Sequence, residues 1–213
     1  MKTSKSLSLA SCALICVALT AGCASTKSTS PTTYDLGSLA PVPPLAIGAG
    51  MSDDISPATG PLTVADVTSA AWLDSQSMQY RLSYTNDQQP QPYATSRWSM
   101  PPPQLLGQRI KSRLAQSGRV VLSGADGAIN IPMLRLEMED FSQRFASQTE
   151  STVKVAVRAS VFNGRLLTAQ KHFEREQLAP TPDAAGGASG LASATDGLIA
   201  DIAAWLASLS TKK

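Results

Sequence analysis

Thr152-Val153-Lys154-Val155-Ala156-Val157-Arg158-Ala159-Ser160-Val161-Phe162, followed by Asn163-Gly164 and then Arg165 to Gln177, is the stretch that decides the fold. Side chains alternate across a strand, so Val153, Val155, Val157, Ala159 and Val161 share one face and are expected in the core. Asn-Gly between two such runs is the best short hairpin signal, because both residues accept the positive φ of a tight turn. The result is a pair of long antiparallel strands whose apolar face needs a cover. From about Leu191 to Leu209, Leu191, Leu198, Ile202, Trp205, Leu206 and Leu209 fall on one helical stripe, and this terminal helix is expected to pack on the hairpin. Between the two, Pro180 to Gly190, with Gly186 and Gly187 in tandem, reads as an irregular connector.

Upstream of the hairpin, Arg119 to Leu122 and Ile129 to Met138 read as strands, the second pointing Leu134, Leu136 and Met138 inward. Before them a helix starts at Pro101, Pro102 and Pro103, where missing amide donors cost little. Leu105, Leu106, Ile110 and Leu114 then recur at helical spacing, and Gly118 is the stop. Earlier still, Tyr34-Asp35-Leu36 and Leu62 to Val67 are strand candidates. Met78, Tyr80, Leu82 and Tyr84 share one face of a strand from Met78 to Tyr84. A turn over Asn86 to Pro92 leads to Tyr93-Ala94 and Arg97-Trp98. The order predicts an α/β fold: a mixed, largely antiparallel sheet of about six to eight strands with two helices packed on one face. The other face is left for solvent or a partner.

The N-terminus sets the address. Lys2 and Lys5 precede an uncharged stretch from Leu7 to Ala21 that is too short for a permanent span, and Leu19-Thr20-Ala21-Gly22-Cys23 closes it in the pattern of a bacterial lipoprotein signal. Residues 1–22 are the signal, Cys23 carries diacylglycerol and an acyl chain such as palmitate, residues 23–33 are a flexible tether, and residues 34–209 form a single domain with an irregular loop over 40–60. Ten tether residues behaving as a coil span roughly 15 to 20 Å. Cys12 and Cys16 leave with the signal, so no disulfide, thiol nucleophile or cysteine metal site remains. Ala24 stands where aspartate signals inner-membrane retention in enteric-type sorting, which places the protein on the periplasmic face of the outer membrane.

Charge excludes one class of partner. The chain has 18 basic and 16 acidic residues, and loss of Lys2 and Lys5 leaves the mature form formally neutral. Nucleic-acid binding needs a basic face that such a chain lacks.

The residues also supply little for catalysis. His172 is the single histidine, with no second histidine to join it in a metal site, and a Ser-His-Asp triad would need this same His172 beside an activated serine, whereas Ser123-Gly124 and Ser189-Gly190 lack the Gly-x-Ser-x-Gly elbow. Glu137 and Glu139 share a strand face where two carboxylates could act as an acid/base pair, against the plainer reading of a solvated strand face. The chain is read as non-enzymatic and without cofactors beyond the lipid on Cys23. Trp72, Tyr80, Arg81, Tyr84, Tyr93, Arg97 and Trp98 are of the types that dominate interfaces. They divide between core and contact roles, and Trp72, Arg81, Tyr93, Arg97 and Trp98 are the candidate partner contacts.

From Trp72 to Leu114 the chain resembles the ABC-type transport auxiliary lipoproteins, the lipoprotein partners of intermembrane transport systems built on MCE-domain proteins, including the Pqi type. The resemblance rests on Cys23 ahead of Tyr34-Asp35-Leu36, then Thr63-Val64-Ala65-Asp66-Val67, Leu73-Asp74, Met78-Gln79-Tyr80-Arg81-Leu82, Tyr93-Ala94, Arg97-Trp98, Pro101 to Pro103 and Leu105-Leu106. The long insert ending at Gly60 departs from the family's compact lead. Membership implies a periplasmic component of a lipid or hydrophobic-compound transport complex, with an MCE-domain protein and ABC transporter subunits as partners and no ATPase activity of its own. A symmetric conduit also invites a ring-like homo-oligomer. A periplasmic lipid-binding carrier and an envelope structural or assembly lipoprotein stay open beside this reading.

Overall fold

The computed structural model describes residues 30–39 and 60–209. The signal, Cys23, most of the tether and residues 40–59 of the irregular loop lie outside the described residues. In chain order the strands are β1 (Thr32–Tyr34), β2 (Leu62–Val64), β3 (Thr68–Ser69), β4 (Ser77–Leu82), β5 (Asn86–Trp98), β6 (Val121–Ser123), β7 (Met133–Phe145), β8 (Ser151–Asn163) and β9 (Leu166–Leu178). Helix α1 (Pro102–Gln116) follows β5, and α2 (Ala184–Leu209) ends the described chain.

Strand β7 is the hub of the sheet. Along one edge β8 runs antiparallel to it from Met133↔Phe162 to Phe145↔Ser151, and β9 continues the meander. Along the other edge β2, β3 and β4 pair with it in turn, all parallel, at Thr63↔Met133, Thr68↔Glu137 and Tyr80↔Gln143. From there β4 pairs with β5 and β5 with β1, while β2 carries β6. The sheet is mixed, its long ladders antiparallel and its short pairings parallel, and the two-residue β3 helps bring the strand count to nine.

The decisive hairpin forms as its sequence demands. Gly164 takes φ +58°, and Val153, Val155, Val157, Ala159 and Val161 are all buried. Helix α2 lies across β7, β8 and β9, with α1 beside it against α2 and β6. One core joins them: Leu134, Leu136 and Met138 from β7, the valines of β8, Leu106 and Ile110 from α1, and Leu191, Leu198 and Ile202 from α2.

Several expectations need correction. β7 does not stop at Met138, because a bulge between Met138 and Asp140 shifts the alternation by one residue and lets Phe141, Gln143 and Phe145 continue the inward face. Its start moves from Ile129 to Met133. The strand expected over Leu62 to Val67 is shortened to β2, ending at Val64, with the separate β3 beginning just past Val67, and the strand near Tyr34 begins at Thr32, inside the stretch read as tether. Asn86 to Pro92 is not a turn but the start of β5. β1 pairs with β5 only at Ser96, Arg97 and Trp98, so Pro90 and Pro92 border an open edge where a missing amide is tolerated. Tyr84 lies beyond the end of β4 in the turn and is exposed instead of facing the core.

The connector Pro180 to Gly190 is the largest departure, since α2 begins at Ala184 and takes in Gly186, Gly187 and Gly190. Asp183 starts the helix: its Oδ1 accepts from Gly186 N at 2.8 Å and from Thr181 Oγ1 at 2.7 Å. The Gly186 amide first, and then Thr181, hold this carboxyl below its ordinary pKa. The glycines are there for contact and not for flexibility. A Cβ at Gly187 would overlap the Gln143 side chain, and one at Gly190 would sit 3.0 Å from both γ-carbons of Val153.

Candidate functional site

The folded domain grips its own N-terminus at three points. β1 is laddered onto β5, Leu36 is buried in the core, and Arg109 Nη1 on α1 donates to the Gly37 carbonyl at 2.7 Å. The same guanidinium holds Asp196 on α2 through two bonds, Nε to Oδ1 at 2.7 Å and Nη2 to Oδ2 at 2.8 Å, with Arg113 3.5 Å away. Burial works to raise the Asp196 pKa, but the Arg109 hydrogen bonds and the charges of Arg109 and Arg113 outweigh it, so the carboxyl is held below its ordinary range. One buried arginine therefore joins both helices to the segment that follows β1.

The five candidate contact residues separate. Trp98 is only 1% exposed and packs edge-on to Phe141 at 5.3 Å, so it belongs to the core and offers nothing to a partner. Tyr93 also turns inward: its ring centroid lies 4.7 Å from that of Tyr80, and its hydroxyl donates to Gln143 Oε1 at 2.8 Å. Gln143 Nε2 in turn donates to Ser151 Oγ at 2.8 Å. Burial pushes the Tyr93 phenol well above its ordinary pKa, which fixes it as a neutral donor. Arg97 is exposed on the sheet face away from the helices, its Nε 3.5 Å from Thr33 Oγ1. Arg81 shares that outer face, with its guanidinium 5.6 Å above the Trp72 ring.

Beside Arg81, in register on the next strand, stands Arg144. Arg81 Nη1 donates to the Asp87 carbonyl at 2.8 Å, and Arg144 meets the Asp140 carboxylate at 2.6 Å and that of Asp87 at 3.5 Å. Ser83 donates to Asp87 at 2.7 Å, and this bond, aided by Arg144 and Arg81, holds the Asp87 carboxyl below its ordinary pKa. Sequence reasoning passed over Arg144 because it lies beyond the bulge, where the alternation had changed sense. The Nε atoms of both arginines are buried without a hydrogen-bond partner among the described residues.

Further along the outer face the charges pair with one another. Arg158 Nε donates to Glu139 at 2.9 Å and its Nη1 lies 3.5 Å from Glu137, so the two carboxylates hold a cation between them instead of forming an acid/base pair. His172 Nδ1 stands 3.0 Å from Glu139, and Lys154 Nζ 2.9 Å from Glu174. This is a solvated strand face laced by ion pairs.

A cleft of about 570 Å³ opens at the opposite end of α2 from its glycines, between the helix, the β8–β9 turn and the start of β2. Leu206 and Leu209 form one wall, Val161 and Ala169 another, and Pro61 and Leu62 a third, with Arg119 at the side. Arg119 Nε donates to the Gly60 carbonyl at 3.0 Å. The sequence pass missed this place. Its only signal was Leu166-Leu167 following the turn, two apolar residues in succession where alternation allows one to be covered. Among the described residues no helix is long and apolar enough to cross a membrane, and no three His, Cys, Asp or Glu side chains converge as a metal-ligating group.

The fold defines a class, an α/β domain whose first described strand is laddered onto the sheet. The sequence model of the ABC-type transport auxiliary lipoprotein component matches residues 46–203, and the chain belongs to that family. The fold is similar to that of a crystallised Xanthomonas campestris protein of a family of unknown function, at TM-score 0.71 and 17% identity over 85% of this chain and 97% of that one. A second crystallised protein, uncharacterised, gives TM-score 0.61 at 15% identity over 83% of this chain and 99% of that one. No curated protein matches the chain.

Proposed function

We propose that the protein is an outer-membrane lipoprotein, acylated on Cys23, that serves as the non-enzymatic auxiliary component of an MCE-type, ABC-driven intermembrane transport complex for lipids or other hydrophobic compounds. One observation carries the reading. Most of the motifs that resemble the family, scattered from Tyr34 to Leu106 in sequence, come together in one block: β1 beside β5, β5 beside β4, and α1 issuing directly from the end of β5, while Thr63 and Val64 sit apart in β2, paired with β6 and β7. That block also holds the end of the tether, through Leu36 and the Arg109 bond to Gly37. Tension from a lipid anchor is thus delivered into a rigid sheet, which suits a part that holds partners in place.

The outer face supplies the grip. Arg97, Arg81 and Trp72 are the contact residues of this reading, since an exposed or half-exposed arginine fork seeks a carboxylate or a row of carbonyls on the partner. Copies arranged as a ring around the conduit axis would present that face repeatedly.

The anchor is tested by labelling cells with radioactive palmitate and fractionating the envelope. Label in the protein and its recovery with outer membranes are expected, and a Cys23→Ser chain should lose both. A Cys23→Ser chain that stays equally particulate would remove the anchor from the account.

A further inference from the structure

The cleft beneath the C-terminal end of α2 has the make-up of a ligand site. Its 570 Å³ falls within the range of roughly 300 to 1,000 Å³ that small-molecule sites occupy, and its walls are mainly apolar, with Asn130, Asn163 and Thr168 set among them. Among the lining residues the one cation is Arg119. Its Nε is used by the Gly60 carbonyl, and no carboxylate among the described residues forms an ion pair with it. Burial alone pushes its guanidinium below the ordinary arginine pKa, with no neighbouring carboxylate acting the other way. A half-buried fork of this kind is relieved by an oxyanion. Close to the lining residues in sequence stand four of the six large apolar side chains that are exposed among the described residues, Ile129 at 81% exposure, Leu166 at 69%, Val120 at 57% and Leu167 at 47%, with Leu178 and Tyr84 elsewhere. Exposed apolar surface gathered around an apolar hollow marks a place where something apolar docks.

We propose that this cleft binds a free long-chain fatty acid, its acyl chain along Leu206, Leu209, Val161 and Ala169 and its carboxylate on Arg119. The match is one hollow to one chain and one cation to one anion, whereas a phospholipid brings two chains. The inference rests on the transport reading only for the presence of such amphiphiles around the protein, and it adds to that reading a ligand held by the auxiliary component itself.

The test uses the full chain in its own envelope. Cells are fed a long-chain fatty acid bearing an alkyl diazirine and irradiated, and the purified protein is mapped by peptide mass spectrometry. Adducts of free-fatty-acid mass are expected on peptides spanning residues 161–169 and 206–209, with label on the Cys23 peptide as the internal standard. Ala169→Phe, which fills the hollow, should cut the cleft adduct at least tenfold with the thermal midpoint unchanged. Arg119→Gln should cut it at least fivefold, and Arg119→Lys should keep more than half. Adducts of phospholipid mass, a cross-link to the Cys23 anchor chain, or yields untouched by Ala169→Phe or by Arg119→Gln would each overturn the proposal. So would a tenfold rise on deleting residues 40–59, which would make the hollow a seat for the chain's own segment. Capture of transport subunits from the same cells is scored separately, so a retained adduct without captured subunits sinks the transport reading alone, and captured subunits without an adduct sink only the fatty-acid site.

Discussion

The two ends of α2 meet the same sheet in opposite ways. At the N-terminal end the backbone comes so close that a methyl group on Gly187 would overlap Gln143 and one on Gly190 would press on Val153. At the C-terminal end Leu206 and Leu209 stand over a hollow. The difference teaches where this fold spends its side chains. The packed end fixes the helix beside the Tyr93–Gln143–Ser151 chain of hydrogen bonds, and at the other end no described residue fills the space under Leu206 and Leu209. Between them Asp196 ties the helix to Arg109 and so to Gly37, in the segment following β1.

The comparison can be broken by substitutions of graded size. The largest effect is expected at the centre: Arg109→Ala removes one partner of a mostly buried ion pair and frees the Gly37 carbonyl, for a loss of about 3 to 5 kcal/mol in denaturant unfolding. Arg109→Met, which keeps the packing, should cost less. At the tight end Gly187→Ala adds a single methyl and displaces Gln143 from Tyr93 and Ser151. A loss of about 2 kcal/mol is expected, even though alanine is the better helix former. Combining it with Gln143→Ala should recover part of that loss, a coupling of about 1 kcal/mol in a double-mutant cycle.

Acid supplies the next contrast. Asp196 is held below its ordinary pKa in the folded state, so its contribution is present above the unfolded value near 3.9 and fades as pH falls through the folded value. Unfolding free energy measured from pH 6 downward should therefore drop below about pH 4, and Asp196→Asn, already weaker at neutral pH, should drop less steeply. The smallest effect belongs to the open end. Ala169→Phe adds a whole ring there, yet should change stability by less than about 0.5 kcal/mol, because the ring enters space that is already empty. A cost equal to that of Gly187→Ala would mean the two ends are packed alike.

Much of this was legible in the residues. The hairpin around Asn163-Gly164 and the inward valines of β8 followed from strict alternation, and α1 followed from its prolines, its helical spacing and Gly118. What was hidden has physical causes. The bulge near Glu139 reversed the alternation, so the strand was ended at Met138, short of Phe141, Gln143 and Phe145, and Arg144 was overlooked. The glycines of α2 read as a breaker because propensity counts them against a helix, whereas here close approach to Gln143 and Val153 requires them. Pro90 and Pro92 read as a turn because nothing in the chain shows that β5 borders an open edge. Trp98 and Tyr93 looked like interface residues because composition cannot tell a core aromatic from a docking one. The cleft was not legible at all, since its walls come from β2, β8, β9 and α2 and only the assembled sheet brings them together.

The most direct measurement is affinity capture of the native, acylated protein from gently solubilised envelopes, with quantitative mass spectrometry of what accompanies it. The account predicts an MCE-domain protein together with ABC permease and ATPase subunits in fixed ratio, depleted at least fivefold by a charge-reversing pair at Arg81 and Arg97 that leaves folding intact. A protein that elutes without any of these subunits, under conditions that keep other envelope complexes whole, would contradict it.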